Sequence, residues 1–314
     1  MKAIAVDLGG TNIKAAVIDK ESGIIEQLTT PTKANLGKDL LLDRIAETIS
    51  QLSNKYETIG VGMGLPGMVS LDQETVLNPP NLPGWNKVNV SEAIYDRLGI
   101  RCKIENDANV AALGSLHFGA GKQFESFIMI TLGTGVGGGI IYNKKLFKGS
   151  RGMAGELGHV IIDYHGPLSN SVTRGTVEAY LGQRFLSRFA SDMISQQPSN
   201  PLYKRFGPTF DELEPVDLTR SAQEGNELAV EILRKSGARL GYAIINYVHM
   251  MDIRKFIISG GVSKAGDFLF EPARDIVRKH MMAPFQDGFE LISEDLGNDS
   301  ALLGAAGLAF DAFS

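Results

Sequence analysis

The apolar positions of this chain gather in short runs that stop at glycine and then resume. The fullest case is Ile128-Met-Ile-Thr-Leu-Gly-Thr-Gly-Val-Gly-Gly-Gly-Ile-Ile-Tyr142. An apolar run, a glycine turn and a second apolar run fit a strand, a tight turn and another strand. Ala3-Ile-Ala-Val-Asp-Leu-Gly-Gly-Thr-Asn-Ile-Lys-Ala-Ala-Val-Ile18 repeats that layout, with Asp7 at the end of its first strand. Phe256-Ile-Ile-Ser-Gly-Gly-Val262 is a third junction of strand and glycine.

The rest of the pattern fills in around these junctions. Strands are expected at 2–7, 12–19 and 24–30, as a meander. Leu40, Leu41, Ile45, Ile49 and Leu52 recur near helical spacing and predict an amphipathic helix over 39–52. Residues 58–63 read as a strand running into Gly64-Leu-Pro-Gly67, a rigid turn with backbone at its tip. Further helices are expected over 91–98, 176–189, 226–251, 268–281 and 301–309. Val160-Ile-Ile162 reads as a strand, and 191–215, with its prolines and polar residues, as a loop or insertion. Asn78-Pro-Pro-Asn-Leu-Pro-Gly-Trp85 is a stiff polar loop holding the only tryptophan, either a plain connection or a ligand wall.

The glycines carry chemistry as well as shape. Gly133, Gly135, Gly137, Gly138 and Gly139 exceed what a hairpin turn needs. Backbone N–H groups beside a turn without side chains make a cradle for phosphate oxygens. A loose hairpin without a ligand would explain that segment equally well by itself. Two such hairpins, at Gly9-Gly10-Thr11 and after Leu132, suggest two similar halves that each offer a turn to one anionic ligand. No G-x-x-x-x-G-K-[ST] occurs, which excludes the P-loop. A Rossmann fingerprint would open a helix, whereas more strand follows Val136 here.

In Glu105-Asn-Asp-Ala-Asn109 a strand ends near Glu105 and a helix starts at Asp107 or Ala108. Asn106 or Asp107 is then an N-cap, and both also stand at the strand edge where α/β sheets bind ligands. Gly155-Glu-Leu-Gly-His159 sets a carboxylate and an imidazole in a glycine-lined loop. Glu178 falls in the first turn of a helix, where its charge suits the dipole.

Composition narrows the class. The 314 residues allow two domains; the net charge of −5 and absence of a basic cluster give nucleic-acid binding no electrostatic support. One cysteine, Cys102, excludes a disulfide framework and a cysteine-based zinc site. There is no signal-peptide pattern and no apolar run of about 18 residues for a membrane span, so a cytoplasmic protein is expected.

With these residues collected, the chain resembles the ROK family of sugar kinases, within the actin/hexokinase-like superfamily. The resemblance runs nearly end to end. It is carried by Asp7-Leu-Gly-Gly-Thr11, Asn106-Asp-Ala-Asn109, Leu132-Gly-Thr-Gly-Val-Gly-Gly-Gly139, Gly155-Glu-Leu-Gly-His159, Glu178-Ala-Tyr180 and Ser259-Gly-Gly261. It implies an α/β, two-lobed actin/hexokinase-like (ribonuclease H-like) fold with a cleft between lobes. One lobe would be 1–118 plus 300–314, the other 119–299. The reaction implied is transfer of the ATP γ-phosphoryl group to a hexose hydroxyl, typically O6, with Asp107 as base. Sugar contacts would come from Gly67, Asn81, Asn106, Asp107, Glu156, His159 and Glu178. ATP contacts would come from Asp7, Gly9, Gly10, Thr11, Asn12, Gly133, Thr134, Gly135, Gly137, Gly138, Gly260 and Gly261. Asp7 would orient Mg²⁺ through water. The helix start is expected to favour ionised Asp107.

One departure stands out. Many family members carry Cys-x-Cys-Gly-x-x-Gly-Cys before Glu178, where this chain reads Ser169-Asn-Ser-Val-Thr-Arg-Gly-Thr176. The thiolates are gone, so no structural zinc is expected, and His159 would serve the sugar alone. Glucose is the first choice of hexose; mannose, fructose, N-acetylglucosamine and N-acetylmannosamine remain, as does polyphosphate as donor. A homodimer is common in the family. The competing class is a non-catalytic sugar-binding regulator, but ROK repressors carry an N-terminal helix-turn-helix and this chain enters Asp7-Leu-Gly-Gly-Thr11 at once. An actin-like filament former would not need the Glu156/His159 pair.

Overall fold

Along the first strand, Ala3 and Ala5 face one side while Ile4, Val6 and Leu8 face the other, and this alternation gives one sheet two different faces. The structure, a computed structural model, describes residues 1–294 and 296–314. It begins with β1 (Lys2–Leu8), β2 (Asn12–Asp19), β3 (Gly23–Pro31), α1 (Lys38–Ser53) and β4 (Val61–Leu65). A small meander follows, β5 (Met68–Val69), β6 (Thr75–Leu77) and β7 (Lys87–Asn89), then α2 (Val90–Leu98), β8 (Cys102–Asn106) and α3 (Asp107–Phe118). Next come β9 (Phe127–Leu132), β10 (Val136–Tyr142), β11 (Lys145–Leu146), α4 (Glu178–Leu181), α5 (Gln183–Ser195), α6 (Pro201–Phe206) and α7 (Pro215–Gln223). The chain closes with α8 (Glu227–Met251), β12 (Lys255–Ser259), α9 (Asp267–His280), β13 (Glu290–Ser293) and α10 (Ser300–Phe313). Two units form: Met1–Ser126 with Gly139–Gly155 and Glu294–Ser314, and Phe127–Gly138 with Glu156–Ser293.

In the first unit the sheet runs β3-β2-β1-β4-β8. β1, β4 and β8 are parallel, while β2 and β3 are antiparallel additions. The large residues of β1 pack with Leu41, Ile45, Ile49 and Leu52 of α1. Each such aliphatic side chain, once fully buried, contributes about 1.5–3 kcal/mol. The alanine face instead takes Val110 of α3 and Leu302, Ala305, Ala306 and Ala309 of α10. Small residues there let backbones close in. A Cβ at Gly62 would lie 1.8 Å from the Ala305 carbonyl oxygen, and one at Gly304 1.7 Å from that of Val110.

Parallel pairing aligns the strand ends that matter. Asp7 of β1 stands beside Gly64 of β4, and Leu65 beside Asn106 of β8. In the second unit β12 lies parallel to both β9 and β13. Ser259 pairs with Thr131, so the glycines after Leu132 and after Ser259 leave adjacent strand ends. Gly260 has φ 93°, and a Cβ there would lie 2.3 Å from the Leu132 carbonyl oxygen. Only glycine fits that approach.

Several elements differ from expectation. Leu40 is exposed and Leu42 buried, so α1 presents a different stripe. The strand expected at 58–63 is Val61–Leu65. Val160-Ile-Ile162 is no strand: a 3₁₀ turn covers Leu157–His159, and Ile161 makes an isolated bridge to Thr176. The Ile162 and Asp163 amides are satisfied by the Gly175 carbonyl instead of a sheet neighbour. The single helix over 176–189 is two, broken where Gly182 takes extended angles. Residues 191–215 hold the end of α5 and all of α6. The prolines read as loop signals, Pro201 and Pro215, sit at the first turns of α6 and α7, where a missing N–H costs nothing. Trp85 is buried in the core, packed with the first unit's apolar cluster.

Candidate active site

The first unit gathers one set of the expected residues. Gly9, Gly10 and Thr11 form the turn between β1 and β2, closed by the Gly9 amide donating to the Asn12 carbonyl at 3.0 Å. Buried Thr32 fixes it: its hydroxyl donates to Gly9 O at 2.7 Å and its amide to Thr11 O at 2.8 Å. Asn12 opens β2. Asn81, at φ 64°, lies so near this turn that a Cβ on Gly10 would be 3.9 Å from its own Cβ. Gly67, at φ 106°, backs onto Pro79 and accepts from the Asn106 side-chain amide at 3.0 Å. Asn106 is also the N-cap of α3, accepting from the Ala108 amide at 3.0 Å.

Asp107 is the first residue of α3 and accepts from the Ala108 amide at 2.8 Å. Its carboxyl reaches solvent but is walled by protein on most sides. That desolvation pushes its pKa above the usual carboxylate range; the hydrogen bonds at the helix start oppose the shift without cancelling it. The expectation that the helix start would favour the ionised form is thus reversed. Asp7 is raised too, by burial first, with nearby Lys14 pulling it down and Asp107 pushing it up. The two carboxyls are therefore close enough to feel each other.

The second unit gathers the other set. Gly133, Thr134 and Gly135 make the turn after β9, with Gly133 N donating to Gly135 O at 3.0 Å. Gly137 and Gly138 lie within β10. Glu178 reaches this turn: its carboxylate accepts from the Val136 amide at 3.2 Å, and a Cβ on Gly135 would lie 2.5 Å from that carboxylate. Glu156 and His159 are half exposed, with Glu156 Oε2 3.7 Å from His159 Nε2. Their turn is tied down twice. Buried Tyr247 of α8 donates to Leu157 O at 2.6 Å, and Gly158 sits against the Val136 carbonyl. Gly260 and Gly261 follow β12, where Ser263 donates to Gly260 O at 2.7 Å.

The ROK family profile matches residues 3–312. This is a ROK family protein. The chain is 34% identical over 308 residues to a glucokinase of Thermotoga maritima, covering 98% of this chain and 97% of that one. It is 33% identical over 309 residues to a glucokinase of Streptomyces coelicolor, with 98% and 96% covered. Among solved structures, a ROK family glucokinase from Streptomyces griseus in complex with glucose and AMPPNP superposes with a TM-score of 0.81. That pair shares 32% identity and covers 99% of this chain and 100% of the other. The fold is the α/β actin/hexokinase-like one.

In this ROK chain the loop before Glu178 is held by hydrogen bonds among ordinary side chains. Ser169 and Ser171 have hydroxyls 2.8 Å apart, and Ser171 Oγ lies 3.4 Å from His159 Nδ1. Tyr180 donates to Asp163 at 2.6 Å, and Arg239 lies between the rings of Tyr180 and Phe189, 4.2 Å from each. Among the described residues no three His, Cys, Asp or Glu side chains could share a metal ion. Sequence reasoning missed Tyr247, Asp163 and Arg239 as supports of this ROK loop. Their partners are distant in sequence, and each alone reads as an ordinary core or surface residue.

The raised carboxyl pKa values have a consequence for stability. A folded-state pKa above the unfolded value gives stability that is full below the ordinary carboxylate pKa and lost as pH rises through the raised one. At neutral pH ionised Asp107 therefore opposes folding. Asp107→Asn is expected to raise Tm at pH 7 in a thermal melt, and the gain should shrink toward pH 3. A lowered Tm at pH 7 would contradict the shift.

Proposed function

We propose that this ROK protein is an ATP-dependent hexose kinase that phosphorylates O6, with glucose as first-choice substrate. The observation that carries the reading is Asp107. It is a carboxylate at a helix start, on the same sheet edge as Asp7, in a chain of glucokinase-like ROK sequence.

The chemistry asks little covalent work of the protein. The sugar O6–H gives its proton to Asp107 as oxygen bonds to the γ-phosphorus. The bond from that phosphorus to the bridging oxygen breaks, and ADP leaves. A base with a pKa moved up toward neutrality serves better than an ordinary aspartate. Asn106 holds Asp107 in place from the Gly67 turn, and Asn106, Gly67 and Asn81 would contact sugar hydroxyls. Glu156 and His159 would bind further hydroxyls. Glu178 would do so while steadying the turn at Gly133–Gly135. The turns at Gly9–Thr11 with Asn12 and at Gly133–Gly138 would take phosphates, and Gly260–Gly261 the adenosine. Mg²⁺ suits Asp7: a hard carboxylate oxygen, raised by burial and by a second carboxylate, gains from a divalent cation. Such an ion would neutralise charge on the phosphates.

Mg²⁺-ATP with glucose should yield ADP, and 6-deoxyglucose should yield none. Equal turnover with both sugars would sink the O6 assignment. On the pH profile of kcat/KM, the acid limb should lie above the ordinary aspartate range, because protonated Asp107 cannot accept the hydroxyl proton.

A further inference from the structure

A buried carboxylate that the reaction above does not use stands two residues before Asp107. Glu105 is the penultimate residue of β8 and has no exposed surface at all. One of its oxygens accepts from the Asn106 amide at 2.9 Å and from the Asn109 side-chain amide at 3.1 Å. The other accepts from the Gln73 side-chain amide at 2.9 Å and from Lys148 Nζ. Lys148, itself nearly buried, also donates to the Ser70 carbonyl at 3.1 Å. Four donors thus converge on one carboxylate from three places in the chain.

Stability alone does not account for this pair. Burying two charges costs several kcal/mol per ion, and a well-packed apolar pair of the same volume is often as stable or more so. The position of the contacts is informative. Asn106 precedes Asp107 and Asn109 follows it within the first turn of α3, so the carboxylate grips the helix start on both sides of the base. Asn109 gives its amide to Glu105 while its own buried oxygen has no partner among the described residues. Gln73 holds a left-handed backbone, φ 62°, and its carbonyl accepts from Ile104 in the adjoining strand at 2.9 Å. These local costs are concentrated around one group.

We propose that the buried Glu105–Lys148 pair is a positioning device: it fixes the first turn of α3 and thereby aims the Asp107 carboxylate at the reacting hydroxyl. The proposal rests on the kinase reading of Asp107. The pair is internally neutral, so it sets geometry without adding net charge beside the base. Lys148 supplies the neutralisation; Glu105 supplies the grip.

Lys148→Met, Glu105→Gln, the double variant and Lys148→Arg separate this role from a structural one. Each is assayed for kcat, for KM of sugar and ATP, and for Tm. Lys148→Met strands the carboxylate, and kcat should fall about tenfold or more, since ~1 Å of misplacement can cost ~10²-fold. Its KM for ATP should stay within about threefold, because the phosphate turns are untouched. The double variant should recover kcat to within about threefold of the parent: the Gln oxygen still accepts from Asn106 and Asn109, and no charge is stranded. Lys148→Arg should retain most of kcat. If Lys148→Met does not fold, the double variant and Glu105→Gln carry the comparison. Lowered Tm with parental kcat in both single variants would overturn the proposal, as would a double variant no better than the worse single one. Parental turnover with unimpaired variants would reject only this role. No sugar-dependent turnover in the parent would reject the kinase reading and the proposal with it.

Discussion

Asp107→Ala is expected to cut kcat by about 10²–10⁴ while the fold survives. The size reflects what a base does in this reaction. Without a positioned acceptor, the hydroxyl proton must leave to water as the phosphoryl group arrives. The fold should survive because α3 keeps its cap. Asn106 accepts from Ala108, and its amide holds the Gly67 turn. The lost carboxylate was itself a desolvated group with a raised pKa. KM for ATP should change little, since the glycine turns are intact. Steady-state kinetics beside a thermal melt read both halves; near-normal kcat in a folded variant would remove Asp107 from the role of base.

Gly158→Ala is expected to weaken sugar binding and lower Tm together. A Cβ there would lie 2.0 Å from the Val136 carbonyl oxygen and 3.1 Å from the Val136 Cβ. Backbone on that side cannot yield cheaply, because the Val136 amide is already held by Glu178. Nor can the turn slide, because Tyr247 holds Leu157 O at 2.6 Å. Overpacking of this kind costs about 1–3 kcal/mol. Glu156 and His159 flank Gly158 and would move with it, so KM for the sugar should rise about tenfold or more as Tm falls. A parental sugar KM with a lowered Tm would detach this turn from sugar binding.

Much of this was legible in the sequence because it is local. Gly9-Gly10-Thr11 and Gly133-Thr-Gly135 follow apolar strands directly, and Asn106 and Asp107 fall where a strand meets a helix. Such signals need only neighbouring residues. What depends on distant walls was not legible. The raised pKa of Asp107 comes from surrounding protein, against a helix-start effect that adjacent residues alone suggest. Glu105 looks like an ordinary strand-end glutamate until Lys148, 43 residues away, reaches it. Leu42 replaces Leu40 on the buried side of α1 because the helix rotates to suit the sheet face, which periodicity over a leucine run does not fix. Asn200-Pro201 and Glu214-Pro215 read as loop because proline marks turns and helix starts alike. Val160-Ile-Ile162 reads as a strand because an apolar trio carries no period; the Val160 amide donates to Leu157 O and the Ile162 amide to Gly175 O instead.

The most direct test of the central claim is ADP release with Mg²⁺-ATP across glucose, mannose, fructose, N-acetylglucosamine and N-acetylmannosamine, for the parent and for Asp107→Ala. The account predicts turnover with at least one of these sugars, highest with glucose, and its near-complete loss in the variant. Absence of turnover with every sugar, or equal turnover in the folded Asp107→Ala protein, would contradict it.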